Sequence, residues 1–263
     1  MLGEITLEME THMKNFIQRN ELPAFFLLAY LLSWLSVPFL QGGQTTWGVA
    51  LAARIVIGVT LGVQGVREYY KRLTNRSAGW WYLIAPLIVI AYTGIGFGMN
   101  LMMGAKLVAQ PQLPLGTLAL LVLFGGQWEE LGWTAYALPR LQERFANRPN
   151  GTLRAALVLS VFRAIWHLPL VLYGKIYWFD ALFLNLAFQI IVAWLYNRSG
   201  RSVTLIMLMH FTSNIMGTLL TPVFAGADRV MYFVIFISSA NLVALILVMS
   251  SQLKVQQEKA VAM

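Results

Sequence analysis

The chain has no cysteine. That excludes disulfides, thiolate nucleophiles and cysteine-ligated metal centres, and leaves the redox compartment unmarked. Charge is also scarce. Only 11% of the 263 residues are Asp, Glu, Lys or Arg, against roughly 25% in a soluble domain. Acidic side chains number 11 against 19 basic ones, for a net charge of +8, and there are three histidines. The first 22 residues carry Glu4, Glu8, Glu10, Lys14 and Arg19. They lack the short basic start and small-residue cleavage pattern of a secretory signal, so the first apolar run is expected to serve as its own insertion signal and to be retained.

What the sequence has in plenty is apolar: 58% of residues are hydrophobic and the mean hydropathy is +0.65. They fall in blocks of about 18 to 24, long enough to cross a hydrocarbon core of about 30 Å as helix. Backbone in lipid must satisfy its own hydrogen bonds, as helices or closed barrels, and these runs are too continuous for alternating barrel strands. The expected fold is an all-α polytopic membrane bundle of about eight transmembrane helices, near 23–40, 47–66, 80–103, 115–137, 153–173, 177–196, 202–220 and 230–250. It forms one membrane-embedded domain over 1–263, with 1–22 as a cytoplasmic tail and no repeat or linker. Tryptophan and tyrosine near the span ends (Trp47, Tyr69, Trp80, Trp81, Tyr173, Trp178, Tyr196) read as an interfacial belt.

Loop charge orients the bundle. With both termini cytoplasmic, the inner segments hold Lys14, Arg19, Arg67, Lys71, Arg72, Arg76, Arg140, Arg144, Arg148, Arg198, Arg201, Lys254 and Lys259, and the outer loops only Lys106, Lys175 and Arg229. Thirteen against three is a strong positive-inside bias. The net charge therefore reads as topology at a cell membrane, with the lipid bilayer as partner. Basic residues spread over several loops do not form a nucleic-acid site.

Ionisable groups inside spans are costly, so each is a functional candidate. Six qualify: Arg54, Glu129, Glu130, Arg163, His167 and His210. Arg54 reads as a snorkelling side chain, and His12 as a solvated tail residue. Glu129 and Glu130, in GGQWEELGW, are the clearest signal. Two adjacent carboxylates at that depth need partners. On an α-helix they diverge by about 100°, so one could activate water while the other fixes the site. Gly125, Gly126 and Gly132 would let another backbone approach or let the helix open. The bland alternative is a buried pair gluing helices together. His210 and Asn214 share a helix face and could hold an oxyanion, a carbonyl or a metal, and His167 lies in RAIWHLP.

GGQWEELGWTAYALPRLQ, RAIWHLP and HFTSN, in that order on spans four, five and seven, resemble the CPBP family of CAAX-processing and bacteriocin-processing intramembrane proteases, also called Abi-type. The motif-bearing core is about 115–220. The family pattern is EExxxR, FxxxH and HxxxN, and it maps onto Glu129, Glu130, His167, His210 and Asn214. Two positions depart: Thr134 stands for the motif arginine and Arg163 for the motif phenylalanine. An arginine four residues after Glu130 would compensate it along the helix. We expect Arg163 to supply that charge from the neighbouring helix instead.

The resemblance implies an intramembrane endopeptidase acting on a membrane-associated protein or peptide. One of Glu129 and Glu130 would activate water, His210 and Asn214 would stabilise the oxyanion, and His167 would position water or shuttle a proton. No cofactor is expected. The alternative is zinc held by Glu129 or Glu130 with His167 and His210, although HExxH is absent. The rival readings are a catalytically inactive binding or immunity protein of the same fold, and a proton-coupled transporter, which would ordinarily show an inverted repeat. One depth test remains. At about 1.5 Å per residue, Glu129 and His210 lie about 12–15 Å from the cytoplasmic side, but His167 about 20 Å in if its helix starts near 153. Convergence requires that helix to start later or the fourth to bend at its glycines.

Overall fold

The computed structural model describes residues 15, 17–73 and 78–250. His12, Lys14, Arg76, Lys254, Lys259 and most of the 1–22 tail lie outside the described residues. Those described form helices and turns, with no strand among them. We number the helices α1 Glu21–Trp34, α2 Trp47–Leu73, α3 Trp81–Met102, α4 Leu115–Phe124, α5 Leu138–Arg144, α6 Gly151–Trp166, α7 Leu168–Leu172, α8 Asn185–Arg198, α9 Val203–Leu220 and α10 Gly226–Met249. Between α4 and α5 run a 3₁₀ turn Gly126–Glu129, one α turn Glu130–Gly132 and a π turn Trp133–Ala137. A second π turn, Asp180–Leu184, leads into α8.

Five segments are long and apolar enough to cross a membrane: Trp47–Lys71, Trp81–Met102, Asp180–Arg198, Val203–Val223 and Gly226–Met249. The chain is a multi-pass membrane protein. The segments expected at 23–40, 115–137 and 153–173 are apolar and helical but not continuous. α1 ends at Trp34 and gives way to turns. The fourth breaks at Gly125, which is extended (φ −68°, ψ 165°). The fifth breaks at His167 because Pro169 lacks the N–H that would continue the ladder. α2 bends sharply at Gly62, whose φ of 64° and ψ of −165° only glycine adopts cheaply.

α8 is the central helix. Residues from Ala187 to Ala193 are buried on all sides, between α6 and α10. α3 packs against α9 and α10, and α1 against α2. Lipid gives no hydrophobic drive to helix association, so close packing and hydrogen bonds must supply it. An aromatic block does so beside the fourth segment. Phe26 stacks on Phe162 at 3.7 Å between centroids, and Trp133 meets Trp166 edge-on at 6.2 Å. α1 is pinned to the same wall, where Tyr30 Oη donates to Phe162 O at 2.8 Å and Trp34 Nε1 to Trp166 O at 3.0 Å.

The two ends of the bundle differ. At one, Arg140 Nε meets Glu21 Oε2 at 2.9 Å and Thr204 Oγ1 donates to Leu73 O at 2.9 Å, gathering the chain near residues 19–21, 67–73, 138–148 and 198–204. At the other, Thr46 Oγ1 donates to Phe124 O and Trp47 Nε1 to Leu123 O, each at 3.0 Å. Arg54 is exposed on the outside of α2, as a snorkelling side chain would be.

Candidate active site

The break in the fourth segment puts the acidic pair in place. A 3₁₀ turn separates neighbouring residues by about 120°, not the 100° of an α-helix, and Glu129 and Glu130 straddle the change from one to the other. Gly126 carries the tightest requirement. A Cβ there would lie 2.4 Å from His210 Nε2 and 3.0 Å from Glu129 Oε1, so glycine lets the imidazole and the carboxylate share one side of the turn. Gly126→Ala is therefore expected to displace His210, lowering turnover by more than tenfold while thermal stability drops only modestly; parallel activity and melting measurements check it.

Glu130 is fully enclosed and fully used. Its Oε1 accepts from Arg163 Nη2 at 2.9 Å and from His210 Nδ1 at 2.7 Å, and its Oε2 accepts from the hydroxyl of Thr134. Arg163 is itself only 1% exposed, and its Nη1 donates to Gln189 Oε1 at 3.3 Å. A buried carboxylate and guanidinium compensate each other only when so tightly paired. The guanidinium that meets Glu130 thus comes from α6, across the helix interface. Thr134 keeps a hydrogen bond where the family pattern has arginine.

Glu129 is placed differently. Its Oε2 accepts from Trp133 Nε1 at 3.3 Å and lies 3.8 Å from Arg163 Nη2, and its side chain lines a cavity of about 380 Å³. His167, His210, Asn214 and Arg163 line the same cavity. Of the expected residues, Glu130 and Thr134 stand behind its wall and reach it through His210 and Arg163. α6 starts at Gly151, no later than expected, so of the two ways to bring His167 level the structure shows the second, the opening of the fourth segment at Gly125.

Hydrogen bonds fix both imidazole tautomers. His167 Nδ1 lies 2.7 Å from Arg163 O, which can only accept, so Nδ1 carries the hydrogen. Asn185 Nδ2, which donates to Ala181 O at 2.8 Å, abuts the same ring nitrogen at 3.4 Å. His210 Nδ1 faces a carboxylate paired with arginine, so it too is a donor, and Nε2 is left toward Gly126 and the cavity. This is the arrangement by which a buried carboxylate sets an imidazole's orientation in acyl-transfer sites.

Three neighbours were not singled out from the sequence. Gln127 donates from Nε2 to Leu121 O at 2.7 Å and to Val122 O at 3.0 Å, which points its Oε1 at Asn214 Nδ2, 3.3 Å away. It meets the last carbonyls before the helix break, sharing Leu121 O with the Gly125 N–H, and holds Asn214 in one orientation. Asp180 and Gln44 line the far side of the cavity. Gln127 had a signal, an amide in an otherwise apolar run; Asp180 and Gln44 lie at a span end and in a loop, where polar residues are ordinary.

Zinc, if bound, would draw on Glu129 or Glu130 with His167 and His210. Among the described residues, no three His, Cys, Asp or Glu groups come together as ligands would. Glu130 Oε1 is shared by a guanidinium and an imidazole, whereas each histidine, with Nδ1 on a protein oxygen, keeps Nε2 open, as a metal-ligating imidazole does.

Comparison with known proteins bears on the same stretch. A family described as Type II CAAX prenyl endopeptidase Rce1-like matches residues 111–216. CAAX prenyl protease 2 of Methanococcus maripaludis is 29% identical over 106 residues, 36% of this chain and 37% of that protein. The chain thus matches little more than a third of that relative's length. All the motif residues fall inside the matched segment, and over it the chain is similar to this family of CAAX prenyl endopeptidases.

Proposed function

We propose that the protein is an endopeptidase of the cell membrane that hydrolyses a peptide bond of a membrane-associated protein or peptide. The reading is carried by one observation: a carboxylate, two imidazoles and an amide, contributed by three separate segments, line a single cavity of about 380 Å³. Lipid-facing or purely structural groups would have no reason to converge there.

Glu129 is the general base. It reaches the cavity, whereas both oxygens of Glu130 are occupied. Glu129 removes a proton from water as the oxygen attacks the scissile carbonyl. Asn214, with one N–H on Gln127, has the other for the developing oxyanion. A preorganised donor in a dry site is worth far more than in water. Glu130 holds His210 so that Nε2 can take from Glu129 the proton removed from water and deliver it to the leaving amine as the C–N bond breaks, which regenerates both groups. His167, its Nδ1–H on Arg163 O, offers Nε2 to hold the water.

The test compares peptides released from membranes bearing the wild-type chain and the Glu129→Gln variant. New peptide termini dependent on Glu129 support the reading; identical profiles sink it. A subtler expectation concerns Gln127→Leu. It frees Asn214 to rotate and should lower kcat by about tenfold, the loss of about 1.4 kcal/mol of transition-state stabilisation, with KM little changed. Steady-state kinetics on a purified substrate checks it.

A further inference from the structure

The cavity is lopsided. Away from Glu129 its wall is built by Gly43, Gln44 and Thr46, between α1 and α2, and by Leu170, Ile176 and Asp180, between α6 and α8. These stretches lie at the end where Thr46 bonds to Phe124 O. Residues of the opposite end, Lys71, Arg140, Arg144 and Arg201 among them, line separate depressions and not this cavity.

Charge tells the ends apart. Arg19, Arg67, Lys71, Arg140, Arg144, Arg148, Arg198 and Arg201 sit at the end away from the cavity wall, and Lys106, Lys175 and Arg229 at the end that forms it. Segments rich in Lys and Arg stay in the cytoplasm when a polytopic protein inserts. The cavity therefore extends toward the extracytoplasmic face.

A second observation names what approaches there. The side-chain Nε2 and Oε1 of Gln44 are both buried, and neither has a partner among the described residues. Leaving such groups unpaired costs about 1–3 kcal/mol each. A glutamine amide places a donor and an acceptor in one plane, which is the complement of one peptide unit. Trp166 Nε1, on the same cavity, is likewise buried without a partner.

We propose that the substrate is a peptide segment presented from the extracytoplasmic side, either an exported peptide or an outward-facing stretch of a membrane protein. It enters over the Gly43–Thr46 rim, and Gln44 pairs with one of its backbone peptide units on the way to Glu129. The cleavage rests on the endopeptidase reading; the side of approach does not.

The absence of cysteine makes the test direct. Single variants Lys175→Cys at the rim end, Arg148→Cys at the cationic end and Ser213→Cys inside the cavity are exposed to a charged, membrane-impermeant methanethiosulfonate, in intact cells and in inverted vesicles. Positions 175 and 213 should react at least about tenfold faster in intact cells, and 148 faster in inverted vesicles. Reaction of position 213 from the cytoplasmic face or from neither face overturns the proposal, as does labelling of 148 in intact cells. A chain that labels as expected yet cleaves no peptide refutes the endopeptidase reading and leaves the side of approach standing. Reversed labelling in a chain that cleaves does the opposite. With a cleaved peptide in hand, Gln44→Leu should raise KM about tenfold with kcat nearly unchanged, the mark of lost uniform binding; an unchanged KM removes Gln44 from the proposal.

Discussion

Glu129→Gln is expected to lower peptide hydrolysis by about 10²–10⁴-fold, the usual contribution of a positioned general base, while leaving the protein folded. The two halves of that expectation come from different contacts. Glutamine has the size of glutamate and can still accept from Trp133 Nε1, the one hydrogen bond that Glu129 Oε2 makes. The neighbouring charge, Arg163, lies 3.8 Å from Glu129 but 2.9 Å from Glu130, so its principal partner survives. What glutamine cannot do is take a proton from water. Glu130→Gln should behave otherwise. It removes the ionised partner from a buried arginine and from His210, and it should cost folding stability as well as activity. Melting temperature in detergent, measured with turnover for both variants, separates the roles. Equal loss of stability at the two positions would mean that Glu129 is structural.

Apart from Asp180, the ionisable residues of the site could be found in the sequence because lipid makes charge expensive. In runs so apolar, Glu129, Glu130, Arg163, His167 and His210 stand out without any alignment. The exchange of Thr134 and Arg163 against the family pattern also carried geometric information, since a carboxylate that loses its arginine along one helix needs another from the side. The helix breaks were harder to read. Gly125 and Gly126 suit either a close approach or an opening, and the structure uses both: Gly125 opens the helix and Gly126 takes the close approach of His210. Pro169 two residues beyond His167 was a local signal for the second break. Gln44 had none: it lines the cavity beside residues of α6, α8 and α9, a non-local fact that no window of sequence contains.

The exchanged arginine gives the sharpest test of how the site is held together. Arg163→Phe restores the family's residue at that position but leaves Glu130 buried with only Thr134 and His210 as partners. Breaking a buried pair by removing one member costs about 3–5 kcal/mol, because the other charge is left uncompensated. The single variant should therefore melt well below the wild type and lose activity. Thr134→Arg alone should also be destabilising, since it forces a second guanidinium into a fully enclosed position. Combined, the two changes move the positive charge from α6 to the turn after Glu130, and the phenylalanine frees the volume the guanidinium needs. The double variant should recover most of the stability that Arg163→Phe loses. Residues in contact depart from additivity by about 0.5–3 kcal/mol, and here the coupling should fall at the upper end and be favourable. Purely additive losses would show that Arg163 and Thr134 do not serve the same carboxylate, and that the 2.9 Å contact between Arg163 and Glu130 is incidental to the fold.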